Sequence, residues 1–444
     1  MFPHLMAEEV AAFVKGRVEH SRSQWLALHL LACPECSELF HRRYPTRGDE
    51  RLSEVLGMVK PASGWPTEIA RCALDIADND PGWALWDSLR SLPPGERGLR
   101  VRNLPQSQRT PGLAMAILRD SRQLWHESAR EAGDLAVLAV QLVLRLQADH
   151  YPWPTLLNDL AAEGLAYMGN AQRIQGQLAH AQEKLQGALR VFLEGGSQDV
   201  RLLANFLWLW AKVHRDAEDY SLARKLYDLA EACFEAVDDQ EWLGILELDK
   251  ANLLAEQGER ELCAQCLQNL IEAERFAYMP HLAQLSAIHS LAFELCYLGR
   301  FFEARKLVPE VERLVGVVGG QLNHLKVRWL KARVAAGSRR HRTAEFLYRE
   351  LRDRWVELEH SMDAALVTLE LAELYLAWGR PEEARDQAMV VVEVCRSLEG
   401  MRREELEAIA TLARAEEDCL KRALVSLRTL LDPPRSPTRT RLPK

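Results

Sequence analysis

Leu371-Ala372-Glu373-Leu374-Tyr375-Leu376-Ala377-Trp378-Gly379-Arg380-Pro381-Glu382-Glu383-Ala384 is the stretch that decides the fold. A small residue, Ala372, sits in an apolar run that Gly379 ends, and a second small residue, Ala384, follows five positions after that glycine. Moving outward, residues equivalent to Ala384 stand at Ala181, Ala223, Cys263, Ala304 and Ala344, so that successive differences along the chain are 42, 40, 41, 40 and 40. Five residues before each is a turn position: Gly176, Glu218, Gly258, Gly299, Arg339 and Gly379. Seven before that comes another small residue: Gly169, Ala211, Ala251, Ala292, Ala332 and Ala372. Small residues at two such points let the helices of a hairpin approach closely, and a left-handed residue between them ends the first helix.

This pattern resembles the tetratricopeptide repeat family, whose signature places small residues at the eighth, twentieth and twenty-seventh positions and a large apolar residue near the twenty-fourth. The fourth unit carries it as Ala292, Gly299-Arg300-Phe301-Phe302-Glu303-Ala304 and Val308, and the second as Ala211, Tyr220, Ala223, Tyr227 and Ala230. The resemblance covers roughly residues 155–400, with a partial unit after Glu404. It implies an all-α chain folded as a right-handed α-solenoid of helical hairpins. Two departures stand out. The period near 40 exceeds the usual ~34, and the twenty-seventh position is apolar rather than small at Leu270, Val311, Leu351 and Val391.

A chain of 444 residues exceeds what one compact core holds, as an elongated array would. Hydrophobic residues make up 48% and charged ones 27%, a balance that suits folded, soluble protein rather than disorder. A net charge of −8 argues against nucleic acid as a direct partner. No run of about 18 apolar residues is present to cross a bilayer. Met1-Phe2-Pro3-His4 lacks the basic and apolar regions of a secretory leader. The odd count of nine cysteines, most of them within helical patterns, suits a reducing compartment, so the cytoplasm is expected.

Four regions are expected: a small N-terminal module over 1–45, a helical linking and capping region over 46–111, the repeat array over 112–432, and a Pro-, Thr- and Arg-rich disordered tail over 433–444. In the second region, Asn79-Asp80-Pro81-Gly82 and Pro93-Pro94-Gly95 read as turns between short helices. Gly112 to Gln147 reads as two helices broken near Gly133-Asp134.

The N-terminal module contains His29-Leu30-Leu31-Ala32-Cys33-Pro34-Glu35-Cys36, an H-x3-C-x2-C pattern. Cys33 could cap a helix with Pro34 at its first position, which places thiolates where the helix dipole favours them. Together with Val10-Ala11-Ala12-Phe13-Val14-Lys15-Gly16, the stretch resembles the zinc-binding anti-sigma domain family over about the first 45 residues. That resemblance maps His4, His29, Cys33 and Cys36 onto a closed tetrahedral ligand set for a structural Zn2+. His20 is the alternative to His4. It also implies a protein partner, a sigma factor or another signalling component; such modules are also fused to other domains without a sigma partner.

Cys263-Ala264-Gln265-Cys266 is a second C-x2-C, but Cys263 occupies the repeat's small-residue position and reads as core. The basic run Arg339-Arg340-His341-Arg342 spans a hairpin turn and reads as solvated charge. No phosphate-binding loop, nucleophile elbow or metalloprotease motif is found, and a non-enzymatic protein is expected. In such arrays the first helix of each hairpin lines the concave face. That register nominates Trp208, Lys212 and Arg215, then Asn252 and Glu256, His289 and Phe293, Lys326, Trp329 and Arg333, and Glu373 as a partner-binding groove. The expected function is a bacterial regulatory adaptor of protein–protein contacts, with a pure assembly scaffold as the alternative and an enzyme with an unrecognised site as a remote third reading.

Overall fold

The computed structural model describes residues 5–18, 23, 26, 27, 30, 36, 40, 42–44, 79–147, 154–195, 199–397, 406, 409, 410, 413, 414 and 417–431. Among them the secondary structure is all-α, with eighteen α-helices. The first is α1 (Ala7–Val14), followed by α2 (Gly82–Leu89), α3 (Pro94–Arg102), α4 (Pro111–Gln123) and α5 (Ala129–Val143). Six hairpins follow: α6 (Pro154–Ile174) with α7 (Leu178–Glu194), α8 (Val200–Asp216) with α9 (Tyr220–Ala236), α10 (Gln240–Glu256) with α11 (Arg260–Glu272), α12 (His281–Tyr297) with α13 (Phe301–Val318), α14 (Gln321–Gly337) with α15 (His341–Glu357), and α16 (Ser361–Ala377) with α17 (Pro381–Ser397). A last helix, α18 (Glu417–Leu431), packs on α16 and α17.

The turn register is the same in every hairpin. Gly176, Glu218, Gly258, Gly299, Arg339 and Gly379 all have positive φ, and the two that are not glycine adopt it at 62° and 57°. Each turn is closed by one backbone bond spanning five residues: Gln177 to Gln172, Asp219 to His214, Glu259 to Leu254, Arg300 to Leu295, Arg340 to Ala335 and Arg380 to Tyr375, all at 2.8–2.9 Å. This is the Schellman closure that satisfies carbonyls left over at a helix end. Asp219 adds a side-chain cap, accepting the Leu222 N–H at 3.2 Å.

The small-residue positions do what their size suggests. Ala181, Ala223, Cys263, Ala304, Ala344 and Ala384 are fully buried, as are Ala211, Ala292, Ala332 and Ala372, with Ala251 close behind. At Gly169 a Cβ would lie 3.0 Å from the Ala181 carbonyl oxygen, so the α6 backbone approaches the α7 backbone directly there. The apolar departures Leu270, Val311, Leu351 and Val391 are equally buried. They fill the space a small residue would leave and stabilise by burial of about 1.5–3 kcal/mol each.

One expectation is corrected. The break between α4 and α5 lies at Leu124–His126, a 3-10 turn, with Ser128 capping α5 through the Glu131 N–H; it is not at Gly133. Gly133 sits inside α5, where a Cβ would come 3.2 Å from the Ala171 Cβ, so that glycine serves helix approach rather than a turn. The Pro81-Gly82 and Pro93-Pro94 signals do mark helix starts, at α2 and α3.

The chain divides into two compact units, the first ending at Leu243 and the second beginning at Gly244. No helix among the described residues is long and apolar enough to cross a membrane. The N-terminal residues form a small core of their own, with Phe13, Leu26, Ala27, Leu30, Cys36 and Phe40 buried together. Gly16 ends α1 in the left-handed conformation.

Candidate functional site

Of the four zinc-ligand candidates, Cys36 belongs to the described residues. Its thiol is buried in that small core and its Sγ accepts the Leu5 N–H at 3.4 Å. His4, His29, Cys33 and the alternative His20 lie outside the described residues, as does the tail from 432 onward. No group of three or more His, Cys, Asp or Glu side chains poised for a metal is found among the described residues. Cys263 is core, as its repeat position requires, and burial pushes its thiol up to about 12.

The groove candidates divide between the units. In the first, Trp208 is buried with its ring edge-on to Trp242 at 5.0 Å, and Lys212 places its ammonium 4.4 Å above the Trp208 ring. Arg215 donates to Asp216 beside it through Nε at 3.1 Å and Nη2 at 3.0 Å. Lys212 and Trp208 thus form one cation–aromatic pair, while Arg215 is engaged by its neighbour Asp216.

The second unit gathers the rest, except Glu256, into two cavities. Asn252, His289, Phe293, Lys326 and Trp329 line one of about 360 Å³. The His289 ring lies tilted against Phe293 at 4.3 Å and its Nε2 lies 3.3 Å from the Lys326 carbonyl oxygen. Burial holds the His289 imidazole at a pKa of about 4, so it is neutral at neutral pH. Glu256 is half-buried at the end of α10 and lines neither cavity.

Arg333 and Glu373 line the other cavity, of about 640 Å³. Its floor is a buried ion pair. Arg333 donates from Nε to both Glu370 carboxylate oxygens at 3.0 Å, from Nη2 to Oε1, and from Nη2 to the Tyr297 hydroxyl at 3.1 Å. The same carboxylate accepts the Trp329 indole N–H at 2.8 Å. Around the Arg333 guanidinium stand the rings of Phe293 at 4.4 Å, Tyr297 at 4.5 Å and Trp329 at 5.3 Å. Arg260 covers Tyr297 at 3.8 Å and is paired with Glu294 at 3.0 Å. From α18, Arg428 donates from Nη2 to Glu373 Oε2 at 2.5 Å and from Nε to Oε1 at 3.2 Å.

Electrostatics distinguish the two carboxylates. Burial alone would raise Glu370, but Arg333, Arg428 and the Trp329 N–H more than offset it, and its carboxyl is held below the usual range. For Glu373 burial wins over Arg428, and its carboxyl is pushed up. Tyr348, buried beside Glu370, is raised well above an ordinary phenol. The Arg333 guanidinium is raised despite burial by the same carboxylate. Apolar walls come from Phe301, Leu374 and Val425, and Gly337 makes room for the Phe301 ring, which a Cβ there would meet at 2.2 Å.

Sequence reasoning therefore found Arg333 and Glu373 but missed Glu370, Arg260, Tyr297 and Arg428. Glu370 stands 37 positions after Arg333, nearly one repeat, and that spacing could have paired them. Arg428 left no such trace, because it lies in the partial unit after Glu404, beyond the six units whose register nominated groove positions.

No family model and no curated protein matches this chain. Among solved structures, a Rap protein complexed with competence and sporulation factor is similar in fold, with TM-score 0.53 and 11% identity over 73% of this chain and 88% of that one. Aspartyl phosphate phosphatase F from Bacillus subtilis aligns at TM-score 0.49 and 13% identity, over 90% of this chain and 97% of that one.

Proposed function

We infer that the chain is a non-enzymatic regulatory adaptor of bacterial signalling, which binds a protein partner through the second unit. The observation that carries this reading is the convergence of Asn252, His289, Phe293, Lys326 and Trp329, from three successive first helices, on one cavity beside an arginine-lined second one. Aromatic and cationic side chains in such recesses supply contact area and orientation for a partner segment. The likeness in fold to a Rap protein crystallised with a factor supports the same reading. The resemblance of the first 45 residues to zinc-binding anti-sigma domains makes the partner a sigma factor or another signalling protein, with Zn2+ as a structural staple.

A photo-crosslinking residue at Lys326, which is exposed at the rim, tests the partner role in native cells. It is expected to trap a discrete protein that the same probe at Arg313, on α13, does not trap. Identical products from both positions would defeat the reading. Removal of residues 1–45 then separates a regulator, which loses its partner, from a scaffold, which keeps it. Metal analysis of purified protein is expected to give one zinc per chain, lost on replacing Cys33 and Cys36 by Ser.

A further inference from the structure

The turns of the fourth, fifth and sixth hairpins each place an arginine directly after the left-handed residue: Arg300, Arg340 and Arg380. In two of the three, carboxylates from the chain itself take it up. Arg300 donates from Nε and Nη2 to Glu303, both at 2.7 Å, and from Nη1 to Glu261 of the preceding hairpin at 3.1 Å. Arg380 donates from Nε to Glu383 at 2.9 Å and from Nη1 to Glu345 of the preceding hairpin at 3.3 Å. Around Arg340 every one of these places has changed. The residue equivalent to Glu303 and Glu383 is Thr343, and the fourth hairpin offers Phe302 and Arg305 at the positions of Glu261 and Glu345.

An edge of uncompensated charge results. Arg305, Arg339, Arg340 and Arg342 are exposed, and none has a carboxylate within ion-pair distance among the described residues. Arg342 borders α15, where Glu345 is already engaged by Arg349 and Arg380. The Phe301 ring packs against Gly337, so the start of α13 meets the end of α14 and brings Phe302 and Arg305 to this turn. Phe302 is 72% exposed, with the Lys306 ammonium 4.6 Å from its ring centre. Arg339 holds a φ of 57° where four of the six turns have glycine, a strained placement that the fold does not require of an arginine. No Asp or Glu occurs between Glu312 and Glu345, although the net charge of the chain is −8.

The neighbouring turns show what this edge lacks: carboxylates set in the fork of an arginine. Nucleic acid or an anionic membrane would bring a long array of charge against a chain that is acidic beyond this edge, whereas a short acidic segment would not. We propose that the turn edge of the fourth and fifth hairpins docks an acidic segment of a protein partner. Its carboxylates take at Arg340 the places that Glu383 and Glu345 take at Arg380, and Phe302 supplies an apolar contact. Neither cavity takes part, so this surface stands or falls separately from the groove.

A fluorescein-labelled hexaglutamate peptide, followed by fluorescence anisotropy against the full chain, provides the test. It is expected to bind at low ionic strength and to weaken as salt passes about 0.1 M, where the Debye length is about 10 Å. Thr343→Glu restores the missing carboxylate and should lower the affinity by about threefold to tenfold; Thr343→Gln should leave it unchanged. Because the restored pair copies Arg300 with Glu303, Thr343→Glu should keep the wild-type melting temperature. Arg340→Gln should reproduce the loss, and if either variant fails to fold the other decides. No binding by the wild type, or wild-type affinity in Thr343→Glu and Arg340→Gln, overturns the proposal. So does tighter binding, at the same salt, of an oligothymidylate of equal charge or of phosphatidylserine vesicles than of the peptide.

Discussion

Glu370→Gln is the perturbation that probes the second unit most directly. The Glu370 carboxylate accepts from Trp329 and Arg333 and lies 3.5 Å from Arg428, with 5% of its side chain exposed against 9% for Arg333. Glutamine keeps the shape and one carbonyl oxygen but leaves a buried guanidinium without its counter-charge. Breaking such a pair from one side costs about 3–5 kcal/mol. Arg333→Met breaks it from the other side at a comparable loss. The double exchange Arg333→Met with Glu370→Leu removes both charges. It orphans the Trp329 donor at about 1–3 kcal/mol, partly offset by burying apolar side chains where ions had been. The net loss should be about 2 kcal/mol, well below the sum of the single changes, so the coupling energy should reach at least about 2 kcal/mol. Hydrogen exchange of peptides from α14 and α16 through a urea series reads this unit separately from the first. Single and double losses that add to within about 0.5 kcal/mol would refute the reasoning, because independent sites add that closely.

Three further outcomes follow from local features. Glu218→Gly and Arg339→Gly relieve a left-handed conformation unfavourable to side chains and should each raise the urea midpoint, by about 1 kcal/mol of stability, while glycine replaced by Ala at Gly299 should lower it; no difference between the two directions would contradict the turn register. Gly169→Val forces a branched side chain against the Ala181 carbonyl oxygen and should destabilise the first unit by about 1–3 kcal/mol, measured by thermal unfolding. His289 has a folded pKa depressed by burial to about 4, so the unfolded chain takes its proton near pH 6.5 and the folded chain only near 4. Its contribution is therefore fully present above about pH 6.5 and is lost as pH falls toward 4. His289→Gln should flatten that part of the stability profile, and a profile unchanged by the substitution would contradict a neutral imidazole in this recess.

Much of the fold was legible along the chain because a repeat writes its packing rules more than once. Six turns and twelve small-residue positions recur at fixed offsets, and each pair of helices can hide its apolar faces only against its neighbours. The same register reached Arg333, Trp329, His289, Phe293 and Glu373, since groove positions inherit the repeat's spacing. Gly133 misled because one sequence sign, a glycine, serves both chain reversal and close helix approach. Only a neighbour in space, here Ala171, tells them apart.

What the tertiary structure alone decided is which of these residues meet and what charge each carries there. Glu370 looks like any acid on a helix, and Arg428 like any arginine near the end of a chain. Their roles arise from desolvation and from guanidinium and carboxylate groups brought within about 3 Å by different hairpins. Such terms depend on distance and burial, and neither is written in the order of residues. Periodicity could determine the helices and their turns; the buried ion network and its unequal carboxylates exist only once the hairpins are stacked.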